Sequence, residues 1–460
     1  MKYIIKGIGL ILLVSICIFF ESCQKFLDKK PDSSLVIPKV VGDLQALLDT
    51  YNVVSQNQPS SSQVSADDYY LTTADWNAAA EDQRRMHIWE PDNLFPEFNS
   101  AWQLIYTGPV YRANTVLDNL NNIERTTKNM VEWDNVKGHA LFVRSMSFLK
   151  AAYIWALAYD RAAASTDLGI PLRLTSDFNQ PSVRASVQDT YVQIIADLKE
   201  ALPLLPEQPI QVLRPSKPAA LALLARTYLS MREYDSCYKY ANLCLLLKDT
   251  LLSYSSSTWI NPSATSSFTR FHPEVILDGY IAPTTCLASA RAKVDSSLYK
   301  SYHEDDIRKT VFFRSNADGS QHFRGSYSGT NSSIAFDGIA TDEVWLMRAE
   351  ANARIGNKDA ALNDLNTLMN KRWKAGLFAP FTALNADEAL QIILRERRKE
   401  LLFRGLRWMD IKRLNKEGAD ITLKRVVNGR EYVLPPNDLR YALPVPERII
   451  AVSNMPQNPR

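Results

Sequence analysis

The chain has 460 residues, of which 46% are hydrophobic and 22% charged, and a formal net charge of +3. That is the composition of an ordinary globular protein, long enough for a large core or two domains. It argues against a nucleic-acid binder, which needs a concentrated basic face.

The N-terminus reads first. Lys2 and Lys6 lead an apolar run of 13 residues from Ile8 to Phe20, and Ser22-Cys23 follows. A basic start and a short apolar stretch are a secretory signal; a spanning helix needs roughly 20 apolar residues. Cys23 falls where a bacterial lipoprotein signal is cleaved, just after a small residue, although Phe20 and Glu21 are unusual at the two positions before Ser22. Residues 1–22 are then a lipoprotein signal peptide and Cys23 the lipid attachment site. Residues 23–38, with Pro31, Ser33, Ser34 and Pro38, read as a lipid-anchored tether. Downstream of Leu35 no other apolar run is long enough to span a bilayer, so the membrane is met through the anchor only.

The body is residues 39–460. Val40, Leu44, Leu47 and Leu48 recur at helical spacing and predict a short helix over Lys39–Tyr51. Residues 55–100 are polar and rich in Ser and aromatics, which predicts mostly loop with one short helix around Asp75–Arg85. Amphipathic helices are expected over Trp102–Asn121, Trp133–Asp160 and Val187–Leu205, the last ended by Pro203 and Pro206. Ser216 caps a helix over Lys217–Met231, and another runs Tyr234–Leu247.

This last pair carries a tetratricopeptide-like signature. Leu221, Leu224, Ala225 and Tyr228 fill slots of the first helix, and Tyr234, Cys237, Ala241 and Cys244 those of the second. A second copy appears at Trp345, Ala349, Gly356, Ala361 and Leu365. Neither pair can bury its face alone, so neighbours must stack. Cys237 and Cys244 lie about 10 Å apart along a helix, too far for a disulfide, and read as small core residues. Residues 248–337 between the copies are Ser/Thr-rich and aromatic, with short strands such as Glu274–Leu277. Asn385 and Glu388 resemble a capping pair ahead of a helix from Ala386 to about Phe403. Leu406–Leu414 is a further helix, and Tyr432–Arg460 is extended.

No catalytic or metal motif is legible. The five histidines (His87, His139, His272, His303, His322) are scattered singly, and no Cys pair has zinc spacing. Gly325-Ser326-Tyr327-Ser328-Gly329 imitates a nucleophile elbow but puts Tyr where the nucleophile belongs. The acidic pairs Asp67-Asp68 and Asp305-Asp306 read as solvated or capping groups. The expectation is a protein that is not an enzyme and carries no cofactor and no metal.

Several segments together resemble the SusD/RagB family of outer-membrane nutrient-binding lipoproteins. They are Ser22–Pro31; Lys137-Gly138-His139-Ala140-Leu141-Phe142-Val143-Arg144-Ser145, where the family usually has Glu at the His139 position; Val187–Ala201; Lys217–Leu229; Val344–Gly356; Arg395–Leu401 with Gly405–Arg413; and the terminal Leu443-Pro444-Val445-Pro446 and Gln457-Asn458-Pro459. The resemblance covers nearly the whole chain in order. It implies a mainly α fold: a single SusD-like domain over 39–460, with tetratricopeptide-like helices at about 101–247 and 338–414, plus loops and a few short strands. It also implies capture of a nutrient, usually an oligosaccharide or polysaccharide, at the outer-membrane surface and delivery to a TonB-dependent (SusC-like) transporter. Alternatives are a peptide-binding member of the family and a repeat scaffold that only docks proteins.

Ligand contacts are expected in the aromatic-rich regions 55–100 and 248–337. Sugar rings offer a C–H face to an aromatic ring and a hydroxyl rim to polar groups. Trp76 with Asn77 and Asp75, Tyr69 and Tyr70 beside Asp67, Trp259 beside Asn261, and Tyr302 fit that need. The competing reading for each aromatic is core packing, and Trp89 and Trp102 are read that way. The charged run Arg395–Arg413 is read as a buried ionic network in which Arg397 and Arg404 neutralise Glu396 and Glu400.

Overall fold

The computed structural model describes residues 38–96, 100–330 and 333–460. The predicted signal peptide, Cys23, nearly all of the predicted tether and Phe98 lie outside the described residues. From Val41 to Arg460 the chain forms one compact unit. It is mainly helical, and among the described residues its short strands pair only two at a time.

The helices that build the scaffold are α1 (Val41–Leu48), α2 (Tyr111–Leu120), α3 (Met130–Trp155), α4 (Val187–Leu204), α5 (Lys217–Met231), α6 (Tyr234–Leu247), α7 (Thr341–Arg354), α8 (Lys358–Met369), α9 (Ala386–Glu400) and α10 (Arg407–Asn415). Successive helices pack as pairs: α2 on α3, α3 on α4, α5 on α6 and α7 on α8. Helix α6 also packs on α7, so the two repeat copies stack although residues 248–337 separate them. The small residues sit where helices approach. Cys237 and Ala241 are fully buried, and the Cys237 thiol lies 3.8 Å from Met347 O on α7. Cys244 donates to Pro218 O of α5 at 3.3 Å. Gly138 serves the same end, since a Cβ there would lie 3.1 Å from Leu204 and Leu205. Cys237, Cys244 and Cys286 are free and buried, and burial raises each thiol pKa.

The predicted caps at Ser216 and Asn385 form, and Ser186 adds one that the sequence reading did not name. Ser186 and Ser216 accept from Asp189 N and Ala219 N. Asn385 accepts from Glu388 N, while the Glu388 carboxylate accepts from Leu384 N at 2.6 Å. Three predicted elements differ. The helix over Trp102–Asn121 is not uniform: Gln103–Val110 is π-helical before α2 begins. Pro109 lies inside it; it has no N–H to give an α-helical ladder, and the segment departs from α-helical geometry there. Residues 55–100 are less loop-like than expected, with short helices at Ser61–Ser65, Thr73–Asn77 and Glu81–His87. The C-terminal segment is not simply extended. Leu423–Val427 and Arg430–Leu434 form a hairpin around Asn428-Gly429, both at positive φ, and Glu447–Ser453 is helical.

A buried ionic network ties the repeats to the middle of the chain, with partners other than those expected. Glu396 and Glu400 are neutralised by Arg308, through Nη2 at 2.5 Å and Nη1 at 3.1 Å. Arg372 also bonds Glu400, at 2.7 Å, and bridges it to Glu274 at 2.9 Å. Arg397 turns to Asp410, and Arg404 to Asp342. Arg397 and Arg404 sit on the same stretch as the glutamates, but burial places the cations of a distant segment closer. Of the acidic pairs, Asp305 keeps a partly exposed place beside Lys374, and Asp306 Oδ1 accepts from Arg308 N at 3.0 Å, but the fold also draws them into ion pairs. Asp306 grips Arg308, and Asp67 is paired with Arg407 and Arg398.

Candidate functional site

Of the predicted ligand residues, the structure turns three inward. Tyr69 is buried, donates to Val64 O at 3.0 Å and carries Arg425 over its ring. Tyr302 is buried and donates to Lys399 O at 2.7 Å. Asp67 receives Arg407 Nε at 2.7 Å and Nη2 at 3.0 Å, and these cations hold its carboxyl well below the usual range. Its neighbour Asp68 is buried beside that charge and is pushed up to about 6. None of the three has a free ring face or a free rim atom, because a buried Tyr satisfies its hydroxyl inside the protein.

Tyr70, Trp76 and Asn77 remain at the surface together. Tyr70, 36% exposed, pairs across strands with Lys293. Lys293 Nζ reaches Asp75 at 3.0 Å. Thr72 caps the turn Thr73–Asn77 by accepting from Asp75 N, which fixes Trp76 and Asn77 one residue later. The Trp76 indole is half-buried, donates Nε1 to Arg84 O at 3.1 Å and has the Arg84 guanidinium over its ring. It therefore offers hydrocarbon rather than a hydrogen bond. Trp259 is half-buried in a separate loop, closed by Thr269 N donating to Trp259 O at 2.9 Å. Arg314 of the hairpin Phe313–Ser315/Gln321–Phe323 holds that loop through Ser263 O and Ala264 O. No contact joins Trp259 to Trp76 among the described residues.

Sequence reading missed a cleft that none of the predicted ligand residues lines. The helix Glu81–His87, whose Arg84 carbonyl holds the indole, also forms one wall of a cleft of about 570 Å³. Asp82 and Gln83 line it with Asn57, Ser60, Thr284, Met86, Leu94 and Phe95. Gln83 Oε1 accepts from Thr285 Oγ1 at 2.7 Å and from Cys286 N at 3.1 Å, which clamps the helix to the opposite turn. Burial raises the Asp82 carboxyl, and only backbone N–H groups, its own and that of Gln83, oppose this. The lining is thus apolar carbon, neutral amides and hydroxyls, and one carboxylate without a cation. Such a surface suits a neutral ligand with an apolar face and a donating rim. Glu81-Asp82-Gln83 looks like any helix start in sequence; only the fold brings it opposite Thr284. Among the described residues, no group of three or more His, Cys, Asp or Glu is placed to hold a metal.

Comparisons with known proteins add the following. A family model described as starch-binding associating with outer membrane matches residues 25–229. The SusD family model matches residues 307–459. A SusD superfamily protein from Bacteroides thetaiotaomicron VPI-5482 superposes with a TM-score of 0.74 at 20% identity, covering 92% of this chain and 100% of that one. A SusD-like carbohydrate binding protein from Bacteroides vulgatus ATCC 8482 gives 0.67 at 19% identity, covering 90% and 96%. A laminarin binding SusD-like protein gives 0.65 at 16%, covering 91% and 98%. These structural likenesses are of fold. No curated protein sequence matches the chain.

Proposed function

The chain belongs to the SusD/RagB family, and from that premise we propose that it is a lipid-anchored glycan-binding protein of the outer-membrane surface that delivers its ligand to a TonB-dependent transporter. Residues 1–22 are the signal, Cys23 carries the lipid, 23–38 are the tether and 39–460 are the binding body. The description of the matched family supports the location. No helix among the described residues is long and apolar enough to cross a membrane, in keeping with attachment through Cys23. The protein binds and does not turn over its ligand.

The observation that carries the glycan reading is the cleft walled by Glu81–His87, which sets apolar carbon beside hydroxyls, amides and the single carboxylate of Asp82. Asp82, Gln83, Asn57 and Thr284 supply a polar rim, and Phe95 and Met86 an apolar face. Fold relatives named as carbohydrate and laminarin binding support the class of ligand. The test is affinity electrophoresis of the mature protein through gels holding laminarin, starch, xylan, mannan or pectin. Retardation by one of these is expected, weakened roughly 3- to 10-fold in Phe95→Ala, as fits a ring contact of about 1 kcal/mol. Retention should also fall as the pH drops through the Asp82 pKa, which burial raises, because protonation turns an accepting oxygen into a donor. Asp82→Asn should flatten that dependence. Binding to a peptide pool and to no glycan would move the protein to the peptide-binding reading.

A further inference from the structure

A second cleft, of about 400 Å³, opens on the other side of the π-helical segment Gln103–Val110. Gln103 and Leu104 of that segment face the first cleft. Tyr106, Thr107 and Val110 face the second, with Trp102 immediately before them. One wall is thus shared. The aromatic packing runs through it: Phe95, which lines the first cleft, lies 6.0 Å from Trp155, and Trp155 lies 5.7 Å from Trp102 and 6.1 Å from Tyr106. Trp155 is fully buried, so the two clefts are set by one rigid cluster.

The second cleft also sets aromatic carbon beside hydroxyl groups. Tyr111 and Phe178 line it and are 45% and 79% exposed, so two large rings stand open to solvent in one cleft. Its single cation, Arg173, is half-buried and donates to Gln180 O, Asp177 O and Ser182 Oγ. Asn114 donates to Arg173 O and Thr175 O. What faces solvent is aromatic carbon with an edge of hydroxyls and the Arg173 guanidinium, groups that can meet the C–H face and the hydroxyl rim of a sugar ring.

Resting on the glycan reading above, we propose that this cleft is a second subsite for the same saccharide chain, and that the ligand is a polymer which crosses the π-helical ridge. A helix with its side chains is about 10–12 Å across, a distance that roughly two or three linked sugar rings cover. Two subsites joined by one chain gain from effective concentration without any new contact at either one. A polymer therefore binds more tightly than a fragment that fills a single cleft.

The test is calorimetry on the mature protein with whichever panel polysaccharide it retains, and with the disaccharide cut from that polymer. The variants are Tyr111→Ala, Phe178→Ala and the pair. Both rings are exposed, so folding should be kept, and circular dichroism checks it. The expected result is that the double variant binds the polymer at least roughly 10-fold more weakly and the disaccharide unchanged. Equal polymer affinity in the variants and the parent would overturn the proposal while leaving the glycan reading intact. Loss of the disaccharide as well would also overturn it, by making this cleft the primary site. Retention of no polysaccharide by the parent would remove both readings.

Discussion

Arg308 holds three carboxylates, those of Asp306, Glu396 and Glu400, on one buried guanidinium. Burying four charges costs desolvation energy that their attraction repays only while all are present. Arg308→Met keeps the volume and leaves the carboxylates without that partner. It should destabilise the protein by about 3–5 kcal/mol, read as a lowered denaturant midpoint; a loss under about 1 kcal/mol would show that Arg372 and Lys399 carry the site alone. The sequence made the need for cations at Glu396 and Glu400 visible, since like charges at this spacing repel. It could not name Arg308, which lies 88 and 92 residues away. Tyr69 and Tyr302 were misread for a related reason. A tyrosine in a polar stretch looks available until the fold supplies a carbonyl for its hydroxyl, here Val64 O and Lys399 O.

At the scale of elements, helices with caps and strict periodicity were legible, and α5, α6 and their Ser216 cap fall where the pattern puts them. Elements decided by a single special residue were not. Pro109 lies where the start of a predicted helix is instead a π-helical segment. Asn428-Gly429, flanked by the alternating burial of Leu423–Val427, is a hairpin signal that was present and passed over. The C-terminus of α3 shows what such local detail controls. Lys412 of α10 is buried and donates to Tyr153 O at 3.0 Å and Ala156 O at 2.5 Å. Desolvation lowers its pKa from 10.5 to about 7. Between those values the unfolded chain binds more protons than the folded one, so this residue makes stability rise with pH across that window. In Lys412→Met the contribution should vanish, and two carbonyls lose their donor at a cost of about 1–3 kcal/mol. Denaturation midpoints of parent and variant between these pH values should diverge upward; parallel curves would refute the assignment.

At the scale of the molecule, distant segments close on each other. Arg407 bonds Asp67 across 340 residues, and Arg226 of α5 bonds Glu343 of α7 across 117. A fragment ending at residue 250 therefore exposes the face of α6 that α7 covers and leaves Arg226 without Glu343. It should keep helical far-ultraviolet dichroism but lose its near-ultraviolet signal and be cut rapidly by protease; a protease-resistant fragment would show that the first repeat copy folds alone. The same closure sequesters the three thiols of the body. Cys237, Cys244 and Cys286 are buried with raised pKa values, so little thiolate is present to attack an electrophile at neutral pH. A cysteine introduced at Phe178, in the exposed rim of the second cleft, would then take up a maleimide dye far faster than the native ones. The native body needs no prior cysteine removal to become a single-dye reporter, and fluorescence from that position would follow saccharide arrival as it happens.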